Sequence, residues 1–271
     1  MLALLCAASC TSTGPAFRSG QAPRSRILPV ALVQFDAVPE EPQRNLREME
    51  RLTREAVSQG ARLVMFHEGT LADYTPQLER LAEEVPDGPA CRRMARLARE
   101  LDCFISFGLS ERDGGRFYIS QVFLGPAGLI HCYRKTWLWR EARDEDYRNE
   151  WARYDPGKGP ELFEIDGILA TCMICADGEA PRCIERVRAM KPQLVFYPNN
   201  RGTLPDLPVF GARAARIGAP LLVTNRVGDS WGHDCAGGCV VYGPDGSVLG
   251  QANRSGREEI LYHELLVPPK R

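Results

Sequence analysis

LATCMICADGEA, residues 169–180, carries an apolar run of strand-type residues into a cysteine, Cys175, and then at once into a polar segment holding an acid and a glycine. Four readings of Cys175 are open at this point. It is a buried core thiol, a metal ligand, half of a redox pair, or a nucleophile set at the lip of a sheet. What the rest of the chain places beside it decides among them.

Working outward, strands and helices alternate. LFEIDGILATCMIC (162–175) reads as one strand, followed by a helix over 179–190, the strand QLVFYP (193–198), a helix near 208–217 and the strand PLLVTNRVG (220–228). Upstream, ILPVALVQF (27–35) is a buried-strand run. Residues 39–61 then form a helix, with Leu46, Met49, Leu52, Ala56 and Val57 recurring at three and four until Gly60 ends it. RLVMF (62–66) is a strand that stops at His67-Glu68-Gly69. A helix over 88–102 leads into the strand 103–111, and 116–135 reads as two strands around a Gly-Pro-Ala-Gly turn, the second stopping at Lys135. Residues 140–160 hold aromatic groups without periodicity, and an aperiodic stretch of that length is often functional. GGCVVYGPDGSVLG (237–250) reads as a hairpin and EEILYHEL (258–265) as the last strand. The alternation, with hairpins interleaved, argues a layered α/β sandwich with mixed sheets.

Composition agrees. The chain has 271 residues, 44% hydrophobic and 25% charged, enough for one large domain with a deep core, expected over 27–271. A net charge of −1 gives no reason to expect a nucleic-acid partner. Ten cysteines lack the spacing of a small disulfide scaffold and read mostly as small buried hydrophobes. Residues 1–26 read as a disordered leader or as a lipoprotein signal and tether with Cys10 lipidated, the one route to a membrane. The compartment stays open between cytoplasm and envelope. No basic n-region precedes the apolar run, and no segment is long enough to cross a bilayer.

Glu68, Lys135 and Cys175 each follow on an apolar strand. In open α/β folds such positions line the crevice at the strand ends. A thiol attacks carbon as the thiolate, a carboxylate of raised pKa can take its proton, and an ammonium can hold the negative oxygen that results. Cysteine, base and cation together make a covalent acyl-transfer set.

These residues bear a resemblance. LVMFHEGT (63–70), HCYRKTWLW (131–139) and TCMICADGEAPR (171–182), in that order and at those spacings, resemble the nitrilase superfamily of carbon–nitrogen hydrolases. QLVFYPNN (193–200) is similar too, and the likeness runs from about Ile27 to Leu265. It implies a four-layer αββα sandwich with mixed β-sheets, a homodimer or larger even-numbered assembly, a small amide or carbamoyl substrate, and no metal or organic cofactor. It implies Glu68 as base, Lys135 with the backbone N–H of Ala176 as oxyanion holders, and Cys175 as nucleophile. A second glutamate is usual after the lysine. Among Glu141, Glu145 and Glu150, the last is preferred, because EWARYDPGKGP (150–160) resembles the family segment before a Pro-Gly turn.

Departures narrow the branch. Nitrilases proper usually carry Trp-Glu after the cysteine, whereas this chain has Ala176-Asp177, the Asp being similar to amidases and carbamoylases. Gly178-Glu179 replace the paired arginines of carbamoyl-D-amino-acid hydrolases. Asp177, Glu179, Asn199, Asn200 and Arg201 are candidates for substrate contact. Glu179 would suit a cationic substrate or simply the start of a helix, and Arg201 a carboxylate. Other functions on the same residues are a binding protein without chemistry, or an N-acyltransferase in which an amine replaces water. A zinc site from Cys172, Cys175, His233, Cys235 and Cys239 is disfavoured, since residues three apart on a strand point to opposite faces. His67 and His131 read as packing or hydrogen-bonding histidines.

Overall fold

The computed structural model describes residues 25–140 and 149–270. Cys10, Glu141 and Glu145 therefore lie outside the described residues. Two six-stranded sheets stack with helices on both outer faces. The first has the order β14-β1-β2-β3-β4-β5 and the second β13-β12-β9-β8-β7-β6. In the first sheet β1 (Arg26–Gln34), β2 (Leu63–Met65) and β3 (Phe104–Asp113) are parallel, and β4 (Arg116–Gly125), β5 (Gly128–Arg134) and β14 (Glu259–Val267) run antiparallel to their neighbours. The second sheet repeats the scheme. Parallel β7 (Ile168–Cys172), β8 (Leu194–Pro198) and β9 (Leu221–Thr224) are flanked by β6 (Phe163–Ile165), β12 (Val240–Tyr242) and β13 (Val248–Gln251).

Parallel neighbours need crossovers, which the helices supply. α1 (Pro42–Ser58) and α3 (Pro89–Glu100) cover the first sheet, and α5 (Pro181–Met190) and α6 (Leu207–Ile217) cover the second. The core divides accordingly into three layers. Ala31, Val33, Val64 and Phe66 pack under α1 and α3. Val195, Tyr197, Leu221 and Val223 pack under α5 and α6. The opposite faces of the same strands, Val30, Leu32, Met65, Cys172, Phe196 and Leu222, meet between the sheets. Strands buried on both faces explain the unbroken apolar runs.

Several expectations are corrected. Residues 162–175 are not one strand. Asp166 and Gly167, at φ 50° and 74°, turn the chain between β6 and β7, the two-residue Asp-Gly turn that hairpins favour. Strand β7 stops at Cys172, so Cys175 does not close a strand. It opens a short 3₁₀ turn, Cys175–Glu179. The run 220–228 breaks after Thr224, and its second half pairs as β10 (Val227–Ser230) with β11 (His233–Ala236) in a separate hairpin. Two single-turn helices, α2 (Leu78–Leu81) and α4 (Glu150–Arg153), lie in stretches without readable periodicity. No helix among the described residues is long and apolar enough to cross a membrane.

Candidate active site

Three strand exits converge. The first carries Glu68, three residues past β2. Gly108 on β3 lets the backbone of His67–Gly69 pass in contact; a Cβ there would stand 2.8 Å from the His67 carbonyl oxygen. The second carries Lys135, one residue past β5, where its N–H donates to Ile119 O at 2.8 Å and its carbonyl accepts from Gly157 N at 2.8 Å. The third is the turn that begins at Cys175. Its φ of 42° is rare for a residue with a side chain, and such strain gathers at functional sites. Tyr197 holds the turn by donating its hydroxyl to Cys175 O at 2.6 Å.

The side chains meet in a buried cluster. Lys135 Nζ donates to Glu68 Oε1 at 2.8 Å and to Glu150 Oε1 at 2.6 Å. The Tyr74 hydroxyl lies 2.7 Å and 2.8 Å from the same two oxygens. Trp139 N–H donates to Glu150 Oε2 at 2.7 Å. Glu68 Oε2 is buried with no hydrogen-bond partner. Burial pushes the Glu68 carboxyl above its ordinary range and the Glu150 charge adds to this, against the pull of Lys135. Burial works against the Lys135 ammonium, yet Glu150 and Glu68 hold its pKa well above normal. Burial above all pushes the Cys175 thiol up to about 12, opposed by Lys135 and Arg201. The resting nucleophile candidate is therefore a thiol that needs a base.

Cys175, Tyr74, Glu150 and Trp139 open on a cavity of about 540 Å³, walled further by Glu179, Asn200–Thr203 and Gly232–Asp234. A carboxylate beside a thiol, a lysine clamped between two acids and a cavity at the strand ends form the arrangement that covalent acyl transfer requires. The family model described as carbon-nitrogen hydrolase matches residues 29–267. The chain belongs to the carbon-nitrogen hydrolase family.

Relatives of this carbon-nitrogen hydrolase span several activities. A nitrilase of Pyrococcus abyssi is 28% identical over 86% of this chain and 87% of its own. An N-carbamoylputrescine amidase of Oryza sativa subsp. japonica is 26% identical over 87% and 84%. An amidase from Nesterenkonia AN1, of the nitrilase superfamily, matches with a TM-score of 0.79 at 25% identity, over 91% of this chain and 94% of its own. In another structure of that amidase, acrylamide has added to the active-site cysteine.

Within this carbon-nitrogen hydrolase the finer expectations divide. Glu150, Glu179, Asn200 and Arg201 reach the cavity. Glu179 and Arg201 are not separate charges, since Arg201 Nη2 donates to Glu179 Oε1 at 2.7 Å. Asn200 reaches back to Asp73 Oδ1 at 2.6 Å. Asp177 and Asn199 are corrected as substrate contacts. Asp177 is fully buried and accepts from Thr136 N, Trp137 N, Ile174 N and the Tyr133 hydroxyl. It buckles the Lys135 exit to the Cys175 turn. Asn199 is fully buried and donates to Tyr197 O at 2.8 Å. Ala176, second in the 3₁₀ turn, stands where helical N–H groups lack an internal partner.

The zinc set does not assemble. Cys172 is buried in the inter-sheet core, Cys239 Sγ meets the backbone of Asn225, and among the described residues no three His, Cys, Asp or Glu side chains converge to hold a metal. His67 is buried, with burial pushing its imidazole down to about 3, and His131 stacks on Phe163 at 4.5 Å.

Two features escaped the sequence. Tyr74 carries no motif of its own. The β10–β11 hairpin walls the cavity and holds the Tyr74 loop. The Trp231 indole N–H donates to Tyr74 O at 2.7 Å, and buried Asp73 accepts from Arg226 at 2.5 Å and from Ser230 at 2.6 Å.

Proposed function

We propose that this protein hydrolyses linear amides or N-carbamoyl compounds through a thioester on Cys175. The observation that carries the reading is the Lys135 ammonium clamped between Glu68 and Glu150 beside a thiol that opens on the same cavity. Glu68 takes the thiol proton as sulfur bonds to the carbonyl carbon. The negative oxygen is held by the third N–H of Lys135 and by the Ala176 N–H, donors fixed before reaction starts. The C–N bond breaks and Glu68 returns the proton to the leaving nitrogen. Water, deprotonated by Glu68, attacks the thioester, and the acid and the thiol are released. Glu150 fixes Lys135 and the substrate nitrogen.

A carboxamide or carbamoyl group fits this scheme better than a nitrile. Ala176-Asp177 replaces the Trp-Glu pair of nitrilases proper, and Asp177 is committed to holding the loop. The amidase and carbamoylputrescine amidase relatives support the same choice. The Glu179–Arg201 pair on the wall offers one acceptor edge and one donor edge to a polar substrate tail.

The test is ammonia release from a panel of primary amides, carbamoyl amines, carbamoyl amino acids and nitriles, with intact mass read alongside. Turnover with an acyl adduct on Cys175, and no turnover by a folded Cys175→Ala variant, is the expected result. Full activity in Cys175→Ala overturns the mechanism.

A further inference from the structure

Glu68 Oε1 and Glu150 Oε1 are touched by the same two groups, Lys135 Nζ at 2.8 and 2.6 Å and the Tyr74 hydroxyl at 2.7 and 2.8 Å. The four atoms close a ring, and all four residues are buried. Counting hydrogens exposes a conflict. The ammonium has three and supplies one to each oxygen, whereas the phenol has one and supplies a single oxygen. With both carboxyls ionised, the remaining oxygen–oxygen contact has no hydrogen in it. Two lone pairs would then face each other in a site where burial makes an unsatisfied contact costly. One added proton removes the conflict. A carboxyl protonated at Oε1 donates to the phenol oxygen, and the phenol donates to the other carboxylate.

We propose that the ring holds one such proton at rest and that Tyr74 relays it between Glu68 and Glu150. The proposal rests on the reading of Cys175 as nucleophile and Glu68 as its base. The two carboxyls are not equivalent. Glu150 Oε2 accepts the Trp139 N–H, whereas Glu68 Oε2 has no donor. The resting proton therefore sits on Glu68 Oε1, and Glu68 Oε2 is the bare acceptor for the thiol.

As sulfur bonds to carbon, the thiol proton passes to Glu68 Oε2. The Oε1 proton passes to the Tyr74 oxygen, and the Tyr74 proton passes to Glu150 Oε1. Glu68 stays neutral throughout, Tyr74 never becomes a phenolate, and Glu150 gains the proton the thiol lost. When the amine leaves, the chain runs backwards and Glu68 Oε2 gives the proton to nitrogen. Burial, with the Glu150 charge beside it, holds the Tyr74 phenol far above its ordinary range, which penalises any route through a phenolate.

The ionisable groups acting on Tyr74 are Glu150, Glu68 and Cys175, and Lys135 acts on Glu68 from the same ring. Tyr154 packs edge-on at 6.4 Å, with its hydroxyl on Ser110, and neighbouring Asp73 is turned onto Arg226. The Tyr74 ring thus keeps its packing in Tyr74→Phe, which removes only the hydroxyl.

The experiment compares full-length wild type and Tyr74→Phe on the amide that gives turnover, by pH profile and by rates in H2O/D2O mixtures. The wild type gives a bowed proton inventory, from several protons in flight. Tyr74→Phe gives a straight one, with kcat lower by about 10²-fold, the scale of a lost acid–base contribution, and KM little changed. Its acid limb of kcat/KM moves to higher pH, because Glu68 must now ionise before it can accept a proton. Glu150→Gln, which removes the far acceptor, also straightens the inventory and serves if Tyr74→Phe fails to fold. A straight wild-type inventory, or a Tyr74→Phe variant with unchanged rate and limb, overturns the relay while the Cys175 adduct still forms. Absence of any Cys175 adduct in the wild type overturns the thioester reading itself.

Discussion

Cys175 combines a strained backbone with a thiol held up to about 12, above all by burial. Below its pKa the thiolate fraction rises about tenfold per pH unit, and only the thiolate is alkylated. Iodoacetamide labelling of Cys175 without substrate is therefore expected to climb from about pH 7 to about pH 10 with no plateau, where the labelling of an ordinary thiol, half ionised at ~8.5, is already levelling off. Peptide mass mapping against Cys175→Ala checks this. A plateau near neutrality would show a resting thiolate. Cys175, Glu68 and Lys135 were legible because reactive side chains directly following apolar runs stand out in a single sequence. Glu150 was legible only through the family likeness. Asp177 and Asn199 were misplaced because residue type does not say which way a side chain points. The Glu179–Arg201 pair joins residues 22 apart and left no local trace.

At the scale of the element, the 3₁₀ turn decides how the thiol is presented. Gly178 lies against the Tyr197 hydroxyl, and a Cβ there would occupy its place. Tyr197 also accepts from Arg213 Nη1 at 3.0 Å. Gly178→Ala is expected to expel the hydroxyl and leave Cys175 O unpaired. The cost is about 1–3 kcal/mol, the penalty for a buried polar group left unmade, with kcat falling more than KM rises. Urea denaturation and steady-state kinetics measure both, and Tyr197→Phe should reproduce the loss without a clash. The elements themselves were mostly readable, because α1 and α3 carry clear three-four periodicity. The β6–β7 turn was not read, although Asp166-Gly167 is a hairpin signal, because the apolar run on either side masked it. The β10–β11 hairpin was not readable: its short strands hold Asp229, Ser230, His233 and Asp234, which look like loop.

The whole molecule is held by three apolar layers, and the middle one joins the halves of the site. Phe123 of the first sheet packs on Phe163 and Phe196 of the second, with ring centroids 4.6 and 4.8 Å apart. Phe196→Ala is expected to cost about 3–5 kcal/mol, as for other buried aromatic truncations. Amide turnover and near-UV circular dichroism should then be lost together in one urea transition, because sheets that part separate the reactive groups. Retention of activity past the loss of the near-UV signal would contradict a shared core. Layering was legible from alternating elements; which faces meet was not, because strands buried on both sides give no outward pattern.

The closing strand has a further consequence. β14 pairs with β1 along its whole length, from Arg26–Val267 to Gln34–Glu259. During synthesis the carboxylate and ammonium leave the ribosome first and the thiol follows. The sheet that bears the first two keeps an open edge until β14 has been made. A nascent chain is expected to carry all three reactive groups for some time without the means to use them, and to gain its chemistry only as that edge is sealed.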